Sequence, residues 1–404
     1  MQILVITGCN LRFNFSAGLS HAAYIRGLIA LGNEVDLLCY SDEDVEIDEG
    51  IELPNIRNSF GYYSVSKYEK MAQKKHDAKG KNVSIIETKS TANPSIKSKT
   101  LRRTKRIIRT VLYGSYGIYK TWYDHAKKFC SNIEYDIVIS MSDPPISHKM
   151  ADYLIKKHHI IAKRWIQLWE DPWALDLAHE DEIKFYMKQE SKLLDVGEEI
   201  VYVTPVTLLH QQELFSGNRD KMRWCPLAAY YQAEIIDYSN YTMNHYGYFG
   251  DYSPNIRNLE PFYKVVVKRN LNVDICGSPS DLFPSKNNVK IYPRLPLGEL
   301  KEHEDKANVV ICLFNLGGGQ IPGKIYQLAA TNKTILAILD GPEDEQKIIR
   351  DYFEKFNRFV FCQNNEKSIS EAIDRIENND LGGVTNKPID DFSVEKVAKM
   401  LLGD

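Results

Sequence analysis

Two successive series of short apolar runs, separated largely by stretches of helical period, restrict this chain to a parallel α/β architecture. The first series reads QILVIT (2–7), EVDLLCY (34–40), YDIVIS (135–140), RWIQLWE (164–170) and EEIVYVT (198–204). The second reads HYGYFGD (245–251), NVDICG (272–277), NVKIYP (288–293), NVVICLFN (308–315), TILAIL (334–339) and FVFC (359–362). Strands this continuously apolar are covered on both faces, and the crossover helices of a parallel sheet provide that cover. The expected fold is α/β, with two doubly wound Rossmann-like domains facing one another across a cleft. Residues 1–225 form the first, with a basic, partly irregular insertion at about 60–128, and residues 226–390 form the second. A terminal helix over 391–404 is expected to pack back toward the first domain, with WCPLAAYYQ (224–232) as the hinge.

Composition narrows the function classes. No apolar run approaches the roughly 18 residues of a membrane-spanning helix. The opening MQILVITGCN reads as a buried strand and not as a signal peptide, so the expected location is cytoplasmic. The seven cysteines include no CxxC pair and mostly sit in apolar runs, as reduced core thiols do. Net charge is only −3, yet residues 67–128 carry seventeen Lys/Arg against four acids. Within that segment, residues 97–123 mix cations with Tyr and Trp, a composition suited to an anionic membrane surface. Peripheral association with the inner face of the plasma membrane is therefore expected, against the alternative of a solvated helix without a partner. No nucleic-acid-binding module is recognisable.

GGQIPGKI (318–325) follows an apolar strand and enters a helical stretch, in the order of a Walker A loop. Ile325 stands where Ser or Thr would have to hold Mg²⁺, so an ATPase loop is excluded. What survives is a phosphate cradle, in which Gly317, Gly318 and Gly319 admit main-chain N–H groups and Lys324 supplies a point charge. EDPW (170–173) ends a strand at the carboxyl edge of the first sheet, where open α/β folds place ligands. Asp171 or Glu170 could there orient or deprotonate a hydroxyl, or Asp171 could simply cap a Pro turn. Asp143 and His148, in SDPPISH, end the preceding strand; the histidine is either a cleft residue or a packed one.

Taken in order, YDIVISMSDPPISHKMADYLIKKH, WIQLWEDPWALD, YGYFGDYSPNIRNLEPF, NVDICGSP, VKIYPRLPLGELKEH and IPGKIYQLAATNKTILAILDG resemble the GT-B glycosyltransferases of retaining family four. The resemblance implies an acceptor domain followed by a nucleotide-sugar domain. It implies a hexosyl transfer from a UDP- or GDP-sugar to a glycan or lipid-linked acceptor in surface-polysaccharide or glycoconjugate synthesis. Retention, metal independence and the lack of a separate cofactor are part of the same implication. IPGKIYQLAATNK resembles the end of the family's E-x7-E motif, whose first Glu lies near the sugar and whose second accepts ribose hydroxyls. Gly319 and Gln327 occupy those two places and depart from the pattern. Arg257 stands where the family often has a basic residue, and Gly18 where it has a Gly-rich turn. Gly277, Arg294, Ile321 and Pro322, in the quoted segments, complete the expected donor-binding set. The alternatives are a nucleotide-sugar 2-epimerase of the same architecture and a non-catalytic GT-B binding or scaffold protein.

Overall fold

The computed structural model describes residues 1–41, 47–48, 50–63, 114–117, 119–175, 183–230, 235–317 and 319–403. The first half contains β1 (Gln2–Thr7), α1 (Ser16–Ala30), β2 (Glu34–Tyr40), β3 (Asn58–Tyr62), α2 (Tyr119–Ala126), β4 (Ile137–Ser142), α3 (Ile146–Lys156), β5 (Trp165–Trp169), α4 (Ile183–Val196), β6 (Glu199–Tyr202), α5 (Pro205–Leu214) and β7 (Met222–Trp224). The second half contains β8 (His245–Phe249), α6 (Glu260–Arg269), β9 (Asn272–Cys276), β10 (Val289–Tyr292), α7 (Leu297–Lys306), β11 (Val309–Leu313), α8 (Lys324–Ala329), β12 (Thr334–Leu339), α9 (Glu343–Glu354), β13 (Phe359–Gln363), α10 (Glu366–Glu377) and α11 (Val394–Leu402).

Two large, wholly parallel sheets result, with strand orders β3-β2-β1-β4-β5-β6-β7 and β10-β9-β8-β11-β12-β13, beside a small two-stranded pairing of 134–135 with 161–162. Each is doubly wound, and the order reverses beside β1 in one and beside β8 in the other. Those reversal points open crevices at the carboxyl ends of the strands. The central strands β1, β4 and β5 are buried along nearly their whole length, as continuous apolar runs demand.

One apolar cluster joins the two sheets. It runs from Ile3, Val5 and Leu28 through Cys225, Leu227 and Ala228 to Ile325, Tyr326 and Leu401. Helix α11 belongs to it because Gly27 of α1 leaves room for the Val394 backbone: a Cβ on Gly27 would lie 2.1 Å from the Val394 oxygen. The far end of α11 is held by Arg164, donating to Leu402 O at 2.8 Å, and by Arg223, donating to Met400 O at 2.9 Å and Leu401 O at 2.6 Å. Cations at unpaired C-terminal carbonyls complete the helix's hydrogen bonding and oppose its dipole.

Several local expectations change. Asn58–Tyr62, within a stretch read as irregular, is a paired edge strand, held beside β2 by the preceding Arg57 on Asp36 at 2.6 Å. Its polar, half-exposed residues carry no apolar alternation to announce it. Trp122, expected at a membrane interface, is fully buried beside Leu154 and Trp165. Residues 97–113 and 118 of that basic segment lie outside the described residues. No described helix is long and apolar enough to cross a membrane. Six cysteines are buried and Cys130 is exposed.

Gly27→Ala tests the seating of α11. Alanine gains up to about 1 kcal/mol of helix propensity at this interior position, whereas overpacking costs roughly 1–3 kcal/mol. A net fall in the denaturation midpoint is expected, and a rise would show that α11 does not seat there.

Candidate active site

A cavity of about 260 Å³ lies where the carboxyl edges of the two sheets face each other. Asn14, Ser16 and Leu19, from the turn after β1 and the start of α1, form its first-sheet wall, and Tyr230 of the crossover stands beside them. The opposite wall follows the strand ends of the second sheet: Asp251 after β8, Gly277 after β9, Arg294 after β10, and Pro322, Lys324 and Gln327 around the start of α8.

Arg257, from the loop after β8, also lines this cavity. Its Nε donates to Asn315 Oδ1 at 2.6 Å, and Asn315 Nδ2 donates to Gln320 Oε1 at 3.2 Å. No carboxylate among the described residues pairs with it. Lys324 is half-buried, with Nζ 3.9 Å from Glu304 Oε1, beyond a direct hydrogen bond. Burial pulls the Lys324 pKa below the ordinary lysine value, against the upward pull of Glu304. An anion entering the cavity would relieve that penalty. Arg294 spans the cleft, with Nη2 donating to Asn14 O at 2.8 Å and Nη1 3.3 Å from Asp251 Oδ2.

The glycines behave differently from the sequence expectation. Gly319 does not line the cavity. It adopts a left-handed φ of 69°, and its carbonyl accepts from Thr204 Oγ1 at 2.9 Å and Thr207 Oγ1 at 3.1 Å. Its N–H is taken by Glu345, and a Cβ there would meet Val206 and His210. The place of the first motif carboxylate is thus a clamp between the two halves. Gly317 is not among the lining residues, Ile321 is buried in the core, and Gly318 lies outside the described residues. Gly277 is required by packing: a Cβ would fall 2.0 Å from Gly250 O, where two strand-end turns touch. Helix α8 has only six residues and starts at Lys324, so a dipole contribution from it is small. Gly18 falls inside α1, which begins at Ser16, and not in a phosphate-facing turn.

At the first-sheet edge, Glu170 is 8% exposed, hydrogen-bonded with Ser20 Oγ and 3.3 Å from His21 Nε2. Burial raises its pKa well above the carboxylate range, with Ser20 opposing and Asp171 and Asp143 adding to the rise. Burial thus disfavours its ionised form, and Glu170 is packed under Ser20 and does not line the cavity. His21, which no motif indicated, bonds Thr7 Oγ1 through Nδ1 at 2.8 Å and lies 3.2 Å from Ser142 O. Burial lowers its pKa to about 4. Asp143 is exposed and Asp171 half-buried; neither lines the cavity, but Asp171 acts electrostatically on the lining Tyr230. The EDPW turn is held from beneath by Glu190, which accepts the Ala174 N–H at 2.7 Å. His148 is excluded from the site: it is fully buried, with Nδ1 2.8 Å from Ser140 Oγ and its ring centroid 4.3 Å from that of Trp169.

No family model matches the chain, and no curated protein matches it in sequence. Among solved structures it is similar to sucrose-phosphate synthase from Thermosynechococcus elongatus, at 10% identity and a TM-score of 0.54, covering 100% of this chain and 94% of that one. It is also similar to UDP-GlcNAc 2-epimerase from Methanocaldococcus jannaschii, at 11% identity and a TM-score of 0.52, covering 100% of both chains. The chain has the GT-B fold. At these identities the likeness extends to the fold and not to the chemistry. The GT-B cleft of this chain couples a cationic second-sheet wall with an acidic first-sheet edge.

The buried histidines give a pH signature. Burial holds His148 down to about 3 and His21 down to about 4. The unfolded chain therefore takes up these protons first as pH falls below about 6.5. Stability should decline from there toward pH 4, by roughly 3 kcal/mol for each histidine. His148→Gln should flatten that decline in denaturation midpoints measured across the range; parallel wild-type and variant slopes would show that His148 ionises while folded.

Proposed function

We propose that the chain is a glycosyltransferase that moves a hexosyl group from a nucleotide-sugar donor to a glycan or lipid-linked acceptor. The observation that carries this reading is the pairing of Arg257 and Lys324 on one cavity wall, with no acid matched to the arginine among the described residues. A nucleoside diphosphate is the anion such a wall suits, in the crevice where doubly wound sheets take nucleotides.

As the bond from the sugar to the diphosphate breaks, negative charge grows on the leaving oxygen. Two fixed cations stabilise that state more than the bound donor. The acceptor hydroxyl would approach from the side of Asn14, Ser16 and Asp171. Its oxygen forms the new bond to the sugar carbon, and its proton passes to the departing phosphate. Retention of configuration rests on the resemblance to retaining family four. Metal independence is supported by the two side-chain cations, and the chain's Asp-x-Asp triplet, at 42–44, lies outside the described residues. A role in surface-polysaccharide or glycoconjugate synthesis, at the cytoplasmic face of a membrane, belongs to the same reading. A 2-epimerase would share the fold and is distinguished by its product.

Calorimetry against UDP, GDP and their sugars tests the site. The wild type should bind at least one nucleoside diphosphate, and Arg257→Ala and Lys324→Ala should each weaken it by roughly tenfold to a hundredfold. Asp171→Asn should lower the slow release of sugar from the donor while leaving donor affinity unchanged. Absence of nucleotide binding would sink the reading, and an isomerised donor in place of transfer or hydrolysis would reassign the chain to epimerisation.

A further inference from the structure

The cavity holds a hydroxyl that no motif predicted. Tyr230 belongs to the crossover between the two halves, a stretch read in the sequence only as a hinge, yet it lines the cavity and is 7% exposed. The crossover backbone beside it is pinned from both halves. Tyr24 of α1 donates to Pro226 O at 2.9 Å, and the Ala229 N–H donates to Phe392 O at 2.9 Å. The phenol is therefore presented from a rigid support. On one side its oxygen lies 3.4 Å from Ser16 Oγ, at the start of α1. On the other it overlies Gly323, where a Cβ would fall 2.2 Å from that oxygen. Only a residue without a Cβ leaves the hydroxyl its place, immediately before Lys324.

A well-formed O–H···O bond spans about 2.5–3.0 Å, so the contact with Ser16 is long. A buried donor matched so weakly among the described residues gains from a stronger acceptor. Burial pushes the phenol pKa up to about 12, with Ser16 and Arg257 opposing and Glu170 and Asp171 adding to the rise. The group therefore keeps its proton at neutral pH and donates it to a hydrogen bond. Transfer requires the breaking bond to lie where the two walls meet, and this hydroxyl stands on that line, between Ser16 and the start of α8. We propose that Tyr230 is a catalytic residue whose hydroxyl donates a hydrogen bond to the phosphate oxygen that leaves the sugar. As the bond between the sugar carbon and that oxygen breaks, the electron pair stays on the oxygen and the hydrogen bond strengthens, without transfer of the phenol proton. The inference rests on the cavity being the nucleotide-sugar site.

In a nucleoside diphosphate that oxygen is terminal and charged, in the nucleotide-sugar it bridges to the sugar, and in a nucleoside monophosphate it is absent. Calorimetry with UMP, UDP and UDP-glucose, and with GMP, GDP and GDP-mannose, on wild type and Tyr230→Phe reads the difference. Loss of a hydrogen bond to a charged acceptor should weaken the diphosphate by roughly tenfold to a hundredfold, with the monophosphate and the nucleotide-sugar nearly unchanged. Slow release of sugar from the donor should fall by roughly a hundredfold; where wild type releases none, the affinity ratios decide. Tyr230→Phe keeps the ring and its packing, which matched thermal unfolding checks. Should it fail to fold, Gly323→Ala decides: the backbone there, at φ −56°, suits alanine, and the added Cβ displaces the hydroxyl, so the same selective loss is expected. Equal weakening of all three ligands would make Tyr230 a mere wall of the cavity and overturn its role, as would unchanged affinities or an unchanged rate of sugar release. Failure of wild type to bind any of these nucleotides would overturn the donor-site reading itself, and the inference with it.

Discussion

The contact of α11 with α1 at Gly27 sets the relation between the two sheets on which everything else depends. A glycine there admits the Val394 backbone, and the last carbonyls of α11 are then met by Arg164 and Arg223. The second half of the chain is thereby returned to the first and tied to it by core packing as well as through the crossover at 225–228. With the sheets fixed in that way, their carboxyl edges face one another. Arg294 can then reach Asn14, and the Gly319 carbonyl can reach Thr204 and Thr207. Without the first contact, both of these would be separated surface groups.

The departure from the E-x7-E pattern has a physical counterpart in this arrangement. Position 319 adopts a left-handed backbone and faces Val206 and His210, so a side chain there would strain the loop and crowd α5. A carboxylate at this point would displace the clamp without entering the cavity. The carboxylate of Glu304 stands on the cavity wall from a different helix, α7.

What could be read in the sequence follows from how local each signal is. The strands were legible because burial on both faces leaves continuous apolar runs, and β1, β4 and β5 are buried as those runs require. Lys324 was flagged by the glycine-rich loop that follows an apolar strand, and Arg257 and Gln327 by the family resemblance; all three line the cavity. Asn58–Tyr62 was not, since a short polar edge strand has one partner and no apolar face. His21, Glu304 and the fate of Gly319 depend on contacts spanning more than a hundred residues or on the seating of a helix. For His148 the sequence left a cleft residue and a packed one both open, and the helix turns its ring inward onto Trp169.

The two sides of the cleft carry opposite electrostatics, and the burial of Glu170 is part of that division. Asp143, Glu170 and Asp171 come from the ends of β4 and β5, close enough that the two aspartates raise the Glu170 pKa. Three ionised carboxylates at one sheet edge would repel one another. Burial beneath Ser20 and beside His21 disfavours a third negative charge at the edge and raises the Glu170 pKa. Glu170 then works as a hydrogen-bonding strut for the start of α1, the element that supplies Ser16 and Leu19 to the cavity. Asp171 remains half-buried and acts electrostatically on Tyr230 of the cavity wall. The same edge thus places adjacent carboxyls in different surroundings by burial alone.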